Sequence, residues 1–400
     1  MTRGRQAQIR KRTALRMLAA GMAAGLAGGT WGLIEAQAFI LRRRTLALPA
    51  PPGRSTTNPP RSVDCSQSES PCLRILHLSD LHLLEGQRRK MAWVRSLADQ
   101  HPDLIVLTGD SLAQSAAVAP LIRTLSVFAG LPGVFVFGSN DYFAPRPKNP
   151  FTYFWGPSSR SHKGASVELP WRDMRASFES FGWVDLNNRR TTLRIKGIDV
   201  GFVGVDDPHL NLDIFPTAQH TESDMSEARC RPEWRGVSRS HDMSGARGIQ
   251  RARGESDVPT ASDSSDAHAV LGTSSNLDSK HPRASEPPIK IGLAHAPYTR
   301  VLDAMADDEC SLVFAGHTHG GQVCIPWKGA IVTNCDLPPQ LAAGLYRWPA
   351  SGEVVRHDGA AIATRPGPWV SVSAGLGASP FAPLRLACRP EAVLLDVILP

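Results

Sequence analysis

The chain has 400 residues, 42% of them hydrophobic and 20% charged, which suffices for one large domain and is too apolar for a wholly disordered protein. No repeat or heptad runs through it and only one long apolar stretch occurs, so collagen, coiled coil and multi-span membrane protein are excluded. The net charge of +7 is an end effect, because residues 1–44 carry eight Arg and one Lys against Glu35; the rest is nearly neutral, and nucleic acid drops out as a partner.

Residues 17–34 form an uncharged run behind six basic residues. As a helix it would rise about 27 Å, close to the roughly 30 Å hydrocarbon core of a bilayer. The run fits a signal peptide cleaved after Ala36-Gln37-Ala38, although it exceeds the usual apolar length. It also fits a signal anchor with the basic residues on the cytoplasmic side, and a buried Ala/Gly helix is the third alternative. We read residues 1–41 as a basic cytoplasmic segment and a single transmembrane anchor, with the main domain outside the cytoplasm at the cell membrane. Residues 49–72 hold six prolines and read as a linker. The seven cysteines include no Cys-x-x-Cys and frame no metal site; Cys65 and Cys72 could pair in an exported domain.

From residue 73 the texture changes. Short apolar runs recur at 73–79, 103–108, 133–137, 198–205, 289–294, 312–315, 369–373 and 392–399. Unbroken runs of that length suit strands buried on both faces, and segments of helical period at 88–100 and 116–128 lie between the early ones. The alternation predicts a layered α/β domain over residues 73–400. Residues 216–288 break it: rich in Ser, with Trp234 as the single aromatic, they read as a disordered insertion. We give no metal role to its His220, His241, His268 and His281.

The chemistry gathers where the apolar runs end. Asp80 and His82 follow the first, two residues apart and so pointing the same way on extended chain. Gly109-Asp110 ends the second, Gly138-Ser139-Asn140-Asp141 the third, His295 a later one, and Gly316-His317-Thr318-His319-Gly320-Gly321 another. Five strands thus deliver ligand-type residues at their carboxyl ends, where open α/β sheets place their sites. Carboxylate, imidazole and amide oxygen suit Mn, Fe or Zn ions, and the lack of thiolates argues against a structural zinc. With Asp110 spanning two divalent ions, Asp80, His82 and His319 could complete one position, and Asn140, His295 and His317 the other. Such a pair clamps a phosphoryl group and activates a water.

The runs HLSDLH (77–82), TGD (108–110), GSND (138–141), LAHAP (293–297) and AGHTHGGQ (315–322) resemble the calcineurin-like metallophosphoesterase superfamily. They are most similar to its bacterial membrane-associated phosphodiesterase branch, which includes enzymes that cleave UDP-diacylglucosamine; residues 373–391 resemble that branch too. The resemblance implies a four-layer sandwich of two mixed β-sheets flanked by helices, residues 42–48 as an opening strand before the linker, and the metal partition above. The family usually has Gly-Asn-His-Asp/Glu in the third block, with Asn a metal ligand and His protonating the leaving group. Aligned without a gap, Ser139 and Asn140 replace them here. Shifted by one, which we prefer, Asn140 stays a ligand and Asp141 stands in for the acid.

The expected function is hydrolysis of a phosphodiester or pyrophosphate by metal-activated water, on an amphiphilic, membrane-proximal or lipid-linked phosphoester. The alternatives are a nucleotide or cyclic-nucleotide phosphodiesterase, and a metal-binding module with little activity. Asp206-Asp207 could border the site or cap a loop. The aromatic cluster of Phe151, Tyr153, Phe154 and Trp155 could touch lipid or pack on a loop, and Gln322 and Asn334 could line the pocket.

Overall fold

The computed structural model describes residues 2–48, 71–146, 167–217, 289–349, 355–356 and 366–399. Outside them lie the expected insertion beyond Thr217, with its four histidines and Trp234, nearly all of the Pro-rich linker, Cys65, and the aromatic cluster at 151–155.

Helix α1 (Thr2–Glu35) opens the chain. Its segment Leu15–Glu35 is the one helix among the described residues long and apolar enough to cross a membrane, and little of it is buried. Leu18, Met22, Leu26 and Trp31 are each more than half exposed.

Two mixed sheets follow. The first has six strands in the order β1-β15-β2-β3-β4-β5: β1 (Ile40–Ala47), β2 (Cys72–Leu78), β3 (Leu104–Leu107), β4 (Gly133–Phe135), β5 (Trp183–Asp185) and the last strand of the chain, β15 (Glu391–Ile398). Strands β2 to β5 run parallel, while β15 is antiparallel to β2 and parallel to β1. The second has seven, ordered β13-β12-β14-β9-β8-β7-β6: β6 (Arg189–Ile195), β7 (Ile198–Gly204), β8 (Ile289–Leu293), β9 (Leu312–Ala315), β12 (Gly344–Pro349), β13 (Val355–Arg356) and β14 (Pro366–Val372). Its central strands β7, β8, β9 and β14 are parallel. A small hairpin, β10 (Cys324–Ile325) and β11 (Gly329–Ala330), stands apart.

Alternation along β2 explains the layering. Leu73 and Ile75 face a core shared with Phe202, Ile291 and Phe314 of the other sheet, while Leu76 and Leu78 face a second core under helices. Those helices are α2 (Arg88–Ser96), α3 (Val118–Leu125) and α5 (Trp171–Ser180), which bury Val94, Leu121 and Phe178 there. The far face of the second sheet packs Val313 and Val372 on Val301, Leu302 and Met305 of α6 (Thr299–Asp307). The layers are therefore helix, sheet, sheet, helix. A short helix, α4 (Ser139–Tyr142), sits after β4.

The apolar runs of the sequence all became strands, with ends displaced by no more than a few residues. Strand β6 escaped notice because it is an edge strand whose RRTTLRI carries no apolar run. The opening strand expected at 42–48 is β1, which starts two residues earlier, at Ile40, and pairs with β15 from Ile40↔Glu391 to Ala47↔Ile398. Cys72 is disulfide-bonded, and its partner lies outside the described residues.

Candidate metal centre

The parallel strands β2, β3 and β4 of one sheet and β8 and β9 of the other all release their chains at the same end of the sandwich. The turns there are tight. Asp80, His82, Asp110, His317 and His319 all have positive φ, between 40° and 67°. Each left-handed non-glycine residue costs of order 1 kcal/mol and persists only where the surroundings hold it. Backbone bonds between the turns do so: Asp80 N–H donates to Gly109 O at 2.9 Å, His82 N–H to Asp110 O at 2.9 Å, and Gly316 N–H to His295 O at 2.9 Å. Gly138 allows close approach, since a Cβ there would collide with Asp110 Oδ1 and His295 Nε2.

The side chains converge. Asp110 turns Oδ2 toward His82 Nε2 and Oδ1 toward His295 Nε2, each at 3.4 Å. His82 Nε2 and His319 Nε2 lie 3.2 Å apart, and His295 Nε2 lies 3.3 Å from His317 Nδ1. Asp80, His82 and His319 bring one ligand atom each within 4.8 Å of one another, and Asp80, Asp110 and His295 do the same. Asp80 thus belongs to both groups, while Asp110 touches one histidine of each position that the sequence proposed. Asn140 donates its N–H to Asp110 Oδ1 at 2.8 Å and its Nδ2 to Oδ2 at 2.7 Å, which sets its amide beside the same carboxylate.

The donor set fits divalent cations. Burial pushes His82 down to about 4 and holds His317 and His319 well below the ordinary imidazole range, so these rings are neutral lone-pair donors. Burial also pushes Asp80 up to about 6. Burial alone would raise Asp110 and depress His295, but the two oppose it as an ion pair, with the carboxyl held well below its usual range and the imidazole well above. Two buried carboxylates and three neutral rings surround the His295 imidazolium, whose positive charge a dication would replace. His295 Nδ1 faces Thr108 O at 2.7 Å, which leaves Nε2 for the centre.

Asp141 does something other than what the sequence suggested. It is fully buried, its Oδ2 accepts the N–H groups of Asp110 at 2.7 Å and Gly138 at 2.9 Å, and its Oδ1 accepts that of Ser111 at 2.7 Å. Both oxygens are spent fixing the loop beneath the centre, so an acid role for Asp141 does not fit, and it is a positioning residue. Burial, then Asp110, pushes its carboxyl up to about 7. Asp206 and Asp207 cap loops, with Asp206 Oδ1 accepting Tyr142 O–H at 2.8 Å and Asp207 Oδ1 accepting His209 N–H at 2.9 Å, and Asp207 also borders the centre, where His295 and Asp110 act on its buried carboxyl. Gln322 spends its Nε2 on Ala382 O and Leu384 O. Asn334 stands at the centre through its backbone O, 3.3 Å from His317 Nε2.

Sequence reasoning missed two residues. The half-buried ring of His209 lies 4.6 Å from that of His317, centroid to centroid, with Nδ1 3.1 Å from Tyr298 Oη. Its signal, a lone His after Asp206-Asp207-Pro208, is too common to stand out. Arg385 is fully buried and places Nη2 3.3 Å from His319 Nδ1, while the same nitrogen donates to Ala374 O at 2.7 Å and Gly375 O at 3.2 Å. It ties residues 374–377 to the last histidine, and nothing local in sequence marks it.

A model of the calcineurin-like phosphoesterases matches residues 73–321, more than half of the chain. The chain belongs to the calcineurin-like phosphoesterase family. Phosphodiesterase YaeI of Escherichia coli (strain K12) is 32% identical over 120 residues, 30% of this chain and 36% of that protein. The match thus spans about a third of that relative's length. Among solved structures, TT1561 of Thermus thermophilus shares 13% identity at a TM-score of 0.33, covering 76% of this chain and 91% of that one. The 5'-nucleotidase precursor from the same organism shares 11% at 0.35, covering 81% and 55%. Purple acid phosphatase PPD1 from yellow lupin (Lupinus luteus) seeds shares 11% at 0.35, covering 80% and 46%. Likenesses this slight add nothing to the family match.

Proposed function

We propose that this phosphoesterase is a dinuclear metal enzyme that hydrolyses a phosphodiester or pyrophosphate bond in an amphiphilic substrate at the membrane. The observation that carries the reading is the convergence of Asp80, His82, Asp110, His295, His317 and His319 from the ends of β2, β3, β8 and β9, with Asn140 from the short helix α4 after β4. Two divalent ions (Mn, Fe or Zn) held by these residues would supply Lewis-acid polarisation of phosphoryl oxygens and a water acidified toward neutral pH.

The chain's own part is orientation. Asp110 presents one oxygen to each half of the centre, and Asn140 steadies it. Thr108 O holds the His295 ring, and Asp141 holds the backbone under Asp110. Proton delivery to the leaving group, which the family assigns to the absent His, falls to a group at the rim, and His209 is the imidazole placed there. A diester is favoured over a monoester because the relative matched over 120 residues is named a phosphodiesterase.

The membrane part of the proposal rests on the foot of α1. Glu35 accepts the N–H groups of Ala387 at 3.0 Å and Cys388 at 2.8 Å, and Gly32 O accepts that of Arg385 at 3.0 Å. Arg385 in turn touches His319. Cleavage after Ala38 would remove these contacts, which favours a retained anchor over a signal peptide and sets the centre near the bilayer. Intact mass of the protein recovered from membranes tests this: retention of residues 17–38 supports the anchor, and a chain starting at Phe39 overturns it.

The activity test uses the full chain in detergent, with bound metal measured by elemental analysis and bis(p-nitrophenyl) phosphate as substrate with added Mn²⁺. About two ions per chain are expected, with Asp110→Asn lowering turnover about a thousandfold. Two ions without turnover of any phosphoester would leave a metal-binding module and sink the enzymatic reading.

A further inference from the structure

The turn after His319 carries a second kind of chemistry. Cys324, on β10, donates its thiol to Gly320 O at 3.1 Å, and Cys388 donates to His319 O at 3.2 Å and to the same Gly320 O at 3.5 Å. Both thiols thus meet one carbonyl oxygen, Gly320 O, and both are free. The backbone fixes their approach, since Cys324 N–H donates to Leu386 O at 2.8 Å and Leu386 N–H to Gln322 O at 3.0 Å. Both residues line one cavity of about 870 Å³, which Arg44, Gly344 and Arg389 also border. Cys324 is 8% exposed, and Cys388 is the more open of the two.

We propose that Cys324 and Cys388 are a cross-linking site that closes to a disulfide when a small disulfide enters this cavity. The Cys388 sulfur attacks one sulfur of the entering disulfide, RSSR, forming a mixed disulfide and releasing one RSH with the proton lost by Cys388. The Cys324 sulfur then attacks Cys388 and releases the second RSH with its own proton. Two protein thiols are oxidised by two electrons and one external disulfide is reduced to two thiols. Two further observations favour the step. Cys72 is already disulfide-bonded, so the chain is compatible with an oxidising surrounding. Both sulfurs also lie within 3.5 Å of one oxygen, Gly320 O, which brings them to the same point of the fold, unlike two cysteines held far apart. The bond would join β10 to the segment that carries Arg385 and receives Glu35, and so tie the His319 turn covalently to the foot of α1.

The test treats the full chain in detergent with oxidised glutathione and reads thiols, peptides and thermal unfolding rather than activity. Expected are a loss of two titratable thiols, a peptide joining Cys324 to Cys388 in a non-reducing digest, no retained glutathione, and a raised unfolding temperature that dithiothreitol reverses. Finding that peptide before treatment supports the proposal equally. In Cys324→Ser, Cys388 should hold glutathione as a mixed disulfide, and no cross-link should form. Glutathione retained on both wild-type cysteines, a cross-link to another cysteine, or no thiol loss would each overturn it.

Discussion

The two sheets contribute unlike things to one centre. The first sheet brings the acids, Asp80 and Asp110, with His82 and Asn140, on turns held by a lattice of backbone bonds and by the buried Asp141. The second brings three imidazoles, His295, His317 and His319, held by Thr108 O, Asn334 O and Arg385. Neither half alone offers both charge and enough neutral donors for two ions. The centre therefore exists only while the inter-sheet core of Ile75, Phe202, Ile291 and Phe314 keeps the strand ends in register.

That dependence can be broken first. Phe314→Ala empties a fully buried site between the sheets, where it meets the ring of His77 at 5.0 Å, and should cost about 3–5 kcal/mol in denaturant unfolding. Metal should be lost together with the fold in that titration; metal released well before unfolding would show the halves to be less coupled than the geometry implies.

Acid should weaken the centre next. In the metal-free cluster His295 is held well above the usual imidazole range, and burial first of all pushes Asp80 up to about 6. Ligation needs both deprotonated, so binding releases protons, and affinity should fall with pH from above the ordinary imidazole range, where His295 takes its proton, down through about 6, where Asp80 does. Titration calorimetry with Mn²⁺ at pH 6 and pH 8 should show roughly tenfold weaker binding per ion at the lower value. Equal affinities would mean that neither group is a ligand.

The smallest effects sharpen the missing-histidine question. Asp141→Asn, which keeps one acceptor oxygen for the three backbone N–H groups, should weaken metal binding and cut turnover about tenfold, with the shape of the pH–rate profile unchanged. His209→Ala should cut turnover of a substrate with a poor leaving group by about ten- to a hundredfold and spare one with a good leaving group. The opposite pattern would return the acid role to Asp141.

Much was legible beforehand because it is local. Apolar runs buried on both faces declare strands, and ligand-type residues at their ends declare a site, so Asp80, His82, Asp110, Asn140, His295, His317 and His319 could be named from spacing and residue type. Glu391 and Arg385 could not. Glu391 accepts from Arg42 Nε at 2.6 Å, a partner 349 positions away, and Arg385 meets His319 across 66. Contacts of that separation leave no periodic trace in a single sequence.

The sequence by itself determined the strands that are unbroken apolar runs, which of their ends carry chemistry, and the apolar helix at the start, since each follows from residue type and near-neighbour spacing. Only the tertiary structure decided what those residues do together. It spent Asp141 on three backbone N–H groups, brought His209 to His317, turned Cys324 and Cys388 onto one carbonyl oxygen, and bound the foot of α1 to the loop beside His319. The physical reason is that a side chain's role depends on which groups compete for its lone pairs and protons, and packing, not the order of the chain, chooses those groups.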